Sequence, residues 1–318
     1  VCFSSLLTQR RRWINGTVAS LLYFFTSKRA RLRVFGGFFD TYKAGKNPRL
    51  VNLLWGLNLF QFILALLSPA VFNAALQRSL YSGSRFTTLL SWGREEVINL
   101  EGVGCIDVST VVVMITSTVY VMWVFLSYTA EKGRIHEGVC VLVALFGMIA
   151  VLPVYIAVIA SAAASMGAIH IVVALTVIGP IIIGSAQSMT SAVLYLCYLP
   201  WFLLLSAFFL VYIPSYAFAR LWDTTWGNRE TARDGAIDSS RENSMKCSVK
   251  YFNVALVTVN CVLTYVFCTQ LGDDAQFAVM LMIFFPTIVQ FIGSLFFLFM
   301  VLPFSSRRKD EVSFDGKN

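Results

Sequence analysis

Charge is what this sequence lacks most. Only 13% of its 318 residues are Asp, Glu, Lys or Arg, about half of what a soluble domain carries. Residues 138–219 contain none of the four. A soluble chain of this size has no interior large enough to hide such a run, which excludes a water-soluble globular protein. Period-two alternation is missing too, which excludes a transmembrane β-barrel. There are two histidines, and the seven cysteines, at 2, 105, 140, 197, 247, 261 and 268, show no CxxC spacing. A zinc site is therefore not expected, and no metal ligands are assigned. No nucleic-acid-binding module is recognisable, so nucleic acid is not an expected partner.

What is present is hydrophobic sequence, 57% of the chain, with a mean hydropathy of +0.71. The expectation is an all-α fold, a polytopic transmembrane helical bundle preceded by interfacial amphipathic helices. Residues 1–49 carry Arg10, Arg11, Arg12, Lys28, Arg29, Arg31, Arg33, Lys43, Lys46 and Arg49 against the single acid Asp40. Ile14, Val18, Leu21, Leu22 and Phe25 fall on one helical stripe there, too polar around the rest of the turn to span a bilayer. Residues 50–219 read as the main membrane cluster, with spans at 50–72 and 107–130 and a polar loop at 73–105 between them. Residues 220–250 read as a polar loop, 251–302 as a final pair of spans at 251–269 and 276–302, and 303–318 as a polar tail.

Topology draws on two competing counts. The uncharged run 138–219 is long enough for three crossings. The cationic excess of 1–49, with Arg220, Arg229, Arg233, Arg241, Lys246 and Lys250 later, favours the cytosolic face for both segments. The second argument predicts an even number of full crossings in 138–219, part of it broken near residues 153–166 or around Pro180. Non-helical backbone at such depth survives only against protein or a cavity.

The sharpest local feature is Gln9-Arg10-Arg11-Arg12-Trp13. It sets an amide, three guanidinium groups and an indole at one water–membrane boundary. Guanidinium forks match diphosphate oxygens in charge and geometry, and an indole face suits the apolar face of a pyranose. Arg and Trp are also ordinary interfacial anchors.

The run from Gln9 to Thr17, QRRRWINGT, resembles the QRRRW-[LI]-N-G-[ST] motif of eukaryotic chitin synthases, which are processive family-2 glycosyltransferases. About 210 residues later, Leu221-Trp222-Asp223-Thr224-Thr225-Trp226-Gly227-Asn228-Arg229-Glu230 resembles their S-W-G-T-[KR]-[GE] signature, with Thr225 in place of Ser and Asn228 in place of Thr. The resemblance implies that Gln9 and Trp13 hold the acceptor end of a growing chain and that Arg11 and Arg12 hold the diphosphate of UDP-GlcNAc. Trp226, Gly227, Asn228, Arg229 and Glu230 would be the second signature, and the spans would pass nascent chitin across a plasma membrane, with the QRRRW helix cytosolic.

The same resemblance implies that the catalytic carboxylates and their Mg or Mn ion belong to a domain upstream of Gln9. The chain, which starts at Val1, is thus expected to be a fragment with no catalytic residue of its own. It also leaves room for a homodimer. Candidate walls of a saccharide passage are Asn58, Gln61, Tyr195, Tyr198, Trp201, Asn253 and Asn260, since a hydrated polymer needs amides and aromatic faces. For each, helix–helix hydrogen bonding is the competing role. Other readings are a transporter or channel with a basic interfacial helix, a hyaluronan- or cellulose-type synthase, and a scaffold subunit of a membrane complex.

Overall fold

The computed structural model describes residues 7, 9–11, 14, 16, 48–83, 96–100, 104–130, 137–164, 189–222 and 239–271. Among these it describes side chains except at 48–58, 81–83, 96–100, 104–105, 158–164, 191–192 and 239–242. The described elements are α1 (Pro48–Gly83), β1 (Glu96–Leu100), β2 (Gly104–Asp107), α2 (Val108–Thr129), α3 (Glu137–Ala164) and α4 (Met189–Leu204). A π-helical turn (Phe208–Tyr212), α5 (Ile213–Ala219) and α6 (Ser239–Thr269) follow. Leu7, Gln9, Arg10, Arg11, Ile14 and Gly16 are helical as well. The all-α membrane fold expected from composition is the fold observed, with one small β-hairpin added.

Four helical stretches among the described residues are long and apolar enough to cross a membrane: Leu59–Leu80, Val108–Thr129, Glu137–Ala157 and Asn243–Thr269. A fifth is made if Val193–Leu204 and Phe208–Ala219 count as one broken span. The chain divides into two units, one of residues 1–157 and 204–276, the other of 158–203 and 277–318. In the second, the described part of α4 exposes Tyr198 and Trp201 and leaves Tyr195 half-buried.

The first unit departs from the sequence reading in instructive places. The helix of the first span runs on past residue 72, through Asn73 to Gly83, and its described apolar stretch is Leu59–Leu80. Asn73 looks like the start of a loop, but its amide donates to the Ser117 hydroxyl at 2.9 Å and accepts from Thr116 at 2.7 Å. A polar side chain satisfied by the neighbouring helix does not end a span. The β1–β2 hairpin begins inside the expected loop 73–105 and ends at Asp107, an antiparallel pair with Ile98 opposite Ile106. The supposed break near 153–166 is helical as far as Ala164, Pro153 included. The interruption among the described residues comes later, between Leu204 and Phe208. The residues around Pro180 and the expected span 276–302 lie outside the described residues. Residues 239–250, read as loop, form the first turns of α6.

Proline sits inside α1 at Pro69. Having no N–H, it leaves the Ala65 carbonyl without its usual donor. The Ser68 hydroxyl supplies one at 2.9 Å. The core of the first unit gathers Tyr120 and Trp123 of α2, Cys140 and Ala144 of α3, Phe208, Val211 and Tyr212 of the π-turn, and Ile213 and Tyr216 of α5. Trp123 is its centre. Its ring meets Tyr212 edge-on at 6.2 Å and lies 6.2 Å from Tyr216. Its indole N–H donates to the Tyr212 carbonyl at 2.7 Å. Outward faces are apolar too, with Leu142 67% and Ile149 69% exposed on α3, as helices solvated by lipid require.

Trp123→Phe keeps most of the packing and removes the N–H, leaving the Tyr212 carbonyl without that donor. The expected loss is about 1–3 kcal/mol, against roughly 3–5 for Trp123→Ala. Unfolding in detergent micelles measures both. A phenylalanine variant as stable as the wild type would remove the hydrogen bond from this account.

Candidate functional site: a cationic and aromatic end of the bundle

Leu7, Arg11 and Ile14, from the segment of the N-terminal motif, are built into the first unit. Leu7 is 2% exposed and belongs to its main core. Ile14 packs against that core and against a second cluster centred on Phe218 and Leu256. One turn of helix separates Leu7 from Arg11, and Arg11 is buried with it. Arg11 and Arg220 both lie within electrostatic reach of the Tyr216 phenol. Gln9 and Arg10 are exposed. Arg12 and Trp13 lie outside the described residues.

Arg220 organises this end. Its side chain has no exposed surface. One guanidinium nitrogen donates to the Ala130 carbonyl at 2.7 Å and to the Ser127 carbonyl at 3.3 Å. Those carbonyls close the C-terminus of α2, where acceptors are left over and the helix dipole is negative. The guanidinium also lies over two rings, 5.9 Å from the centre of Tyr216 and 5.2 Å from that of Trp222. Burial lowers the affinity of the Arg220 guanidinium for its proton, and the neighbouring Tyr216 opposes that shift. On α6, the Lys246 ammonium lies 4.7 Å from the centre of Trp222. The Tyr128 hydroxyl donates to the Lys246 carbonyl at 3.1 Å. Asn253, one heptad further along α6, donates to the Ala219 carbonyl at 3.2 Å.

Arg11, the end of α2, the start of α3, the end of α5 with Trp222, and the first turns of α6 therefore meet in one place. The chain leaves this end at Glu137 and is back at it at Arg220. The β1–β2 hairpin, whose second strand leads straight into Val108, stands at the opposite end of α2.

Sequence reasoning missed Arg220 as a structural centre. The available signal was its position, the first charge after a long uncharged run. Two expected passage-lining residues need correction. Asn253 and Asn260 are 6% and 1% exposed, and the Nδ2 of Asn253 and both ends of the Asn260 amide bond backbone groups of neighbouring helices. Gln61 is half-buried on α1. The Asn58 side chain and the whole of Trp226, Gly227, Asn228, Arg229 and Glu230 lie outside the described residues. Among the described residues no group of three His, Cys, Asp or Glu is placed to hold a metal ion. Compared with known protein families, the chain matches no family model, and no characterised protein matches it in sequence.

The two motif-bearing ends should respond alike to reagents that cannot cross the bilayer. Single-cysteine variants retaining Cys247, Cys105 or an introduced Gln9→Cys are expected to sort into two groups under an impermeant maleimide. Gln9→Cys and Cys247 should react from one side, and Cys105, in the hairpin, from the other. Labelling of Cys247 and Gln9→Cys from opposite sides would contradict the shared end.

Proposed function

We propose that this chain is the membrane part of a chitin synthase, polymerising GlcNAc from UDP-GlcNAc into β-1,4-linked chitin and passing the product across the plasma membrane. One observation carries the reading beyond the motifs. The segment containing QRRRW and the segment leading into Trp226–Glu230 are some 210 residues apart, yet both emerge at one cationic, aromatic end of the bundle. A polymerising site needs that combination, with guanidinium groups for a diphosphate and aromatic faces for a sugar.

In this reading Gln9 and Trp13 hold the acceptor end, and Arg12 faces the UDP diphosphate. Arg11, being buried, acts mainly by fixing the helix that presents its neighbours. The shared end faces the cytosol, because it gathers Arg10, Arg11, Arg220, Lys246 and Lys250. Carboxylates for metal binding and general-base catalysis are supplied by sequence upstream of Gln9, with Mg or Mn as their ion. A homodimer is compatible with this arrangement.

The break between α4 and the π-turn also suits a transporter, whose discontinuous helices line a solute site. The two readings part in one assay. Membranes containing the protein with its natural upstream sequence are supplied with radiolabelled UDP-GlcNAc, and the insoluble product is digested with chitinase. The expected result is a chitinase-sensitive polymer, reduced about 100-fold or more by Trp13→Ala through loss of acceptor positioning. Undiminished synthesis by that variant would remove Trp13 from the site. No polymer at all, with solute uptake into proteoliposomes, would replace the synthase by a transporter.

A further inference from the structure

Lys246, Asn253 and Asn260 stand seven residues apart on α6 and so form one stripe along it. Each grips a different element. Lys246 covers Trp222. Asn253 holds the Ala219 carbonyl at the end of α5. Asn260 reaches α1 beside Pro69, where its Nδ2 donates to the Leu66 carbonyl at 2.9 Å and its Oδ1 accepts from the Ala70 N–H at 3.3 Å.

That last pair is informative. Leu66 and Ala70 are helical i, i+4 partners, whose groups bond each other in a regular helix. Pro69 lacks the adjacent N–H, and its ring crowds the preceding turn. Asn260 offers one amide end to each member of the pair. The Tyr120 hydroxyl lies 3.5 Å from the same amide nitrogen. The far end of the stripe shows a complementary feature. Asn253 Oδ1 and Trp222 Nε1 are buried without a hydrogen-bond partner among the described residues. Buried polar atoms are rarely left so, and this register of α6 therefore does not satisfy every group along its stripe.

We infer that α6 is a coupling rod, whose polar stripe ties the Leu66–Ala70 turn beside Pro69 in α1 to the placement of Ala219 and Trp222, so that the two change together. The span from Asn260 to Lys246 is about 21 Å at 1.5 Å per residue. Packed helices shift between discrete arrangements more readily than they deform, so release at one end of the stripe is felt at the other. The inference stands whether or not the chain polymerises sugar.

Hydrogen exchange read by mass spectrometry on the whole chain in nanodiscs tests it. Pro69→Ala removes the ring that crowds this turn of α1 and lets the Leu66 carbonyl and the Ala70 N–H close on each other, loosening the hold of Asn260 without deleting a polar group. The expected outcome is exchange at residues 219–222 faster by at least about tenfold, a local opening remote from the substitution. Asn260→Ala should do the same. Asn253→Ala should cut the rod, so that adding Pro69→Ala to it leaves 219–222 no faster than in Asn253→Ala alone. Changes confined to residues 65–70 in Pro69→Ala would overturn the coupling, even if Asn260→Ala proves too unstable to purify.

Discussion

A cation with no exposed surface sets the terms for one end of this molecule. Arg220 costs desolvation wherever it is buried, and it is accommodated because several elements converge on it. The last carbonyls of α2 accept its hydrogen bonds, and the rings of Tyr216 and Trp222 cover its faces. From this follow the joint position of the α2 and α5 termini, the seat of Trp222 beneath Lys246, and the shared end at which Arg11 is buried. A lysine would supply the charge without the planar fork that spans two carbonyls and stacks on two rings.

Deeper in the bundle the governing constraint is satisfaction of backbone polar groups. Pro69 deprives the Ala65 carbonyl of its partner, and the π-turn disturbs the ladder at Tyr212. Ser68 answers the first and the Trp123 indole bonds the Tyr212 carbonyl, while Asn260 bonds the Leu66 carbonyl and the Ala70 N–H of the same turn as Pro69. Water is not available in a bilayer core to serve instead. Polar residues in these helices thus act chiefly as substitutes for backbone, which is why Asn253 and Asn260 are not exposed on a passage wall.

Class and helix composition were legible from the missing charge, because a bilayer is the one solvent that such a run tolerates. The second span, at 107–130, was legible almost to the residue because its ends coincide with polar sequence. The first was misplaced at its C-terminus because Asn73 reads as exposed until its partners Thr116 and Ser117, over forty residues away, are known. The break at 205–207 carries no proline or glycine of its own, and the hairpin is too short to show alternation. At the candidate site, the basic and aromatic types were visible in the motif. Arg11 is buried within electrostatic reach of Tyr216, some two hundred residues away, which no local pattern reveals. Arg220 entered the sequence reading only as one more positive charge, and its role depends on where α2 ends.

The most direct test of this account is the stability of Arg220→Met in detergent micelles. Methionine matches much of the volume and removes the desolvation cost, so a charge that was merely tolerated would be replaced with no loss or with a gain. If Arg220 is the tie described here, its removal leaves the Ser127 and Ala130 carbonyls without their donor and uncaps α2. The expected result is a loss of roughly 2–4 kcal/mol in unfolding free energy. A variant equal to or more stable than the wild type would contradict it.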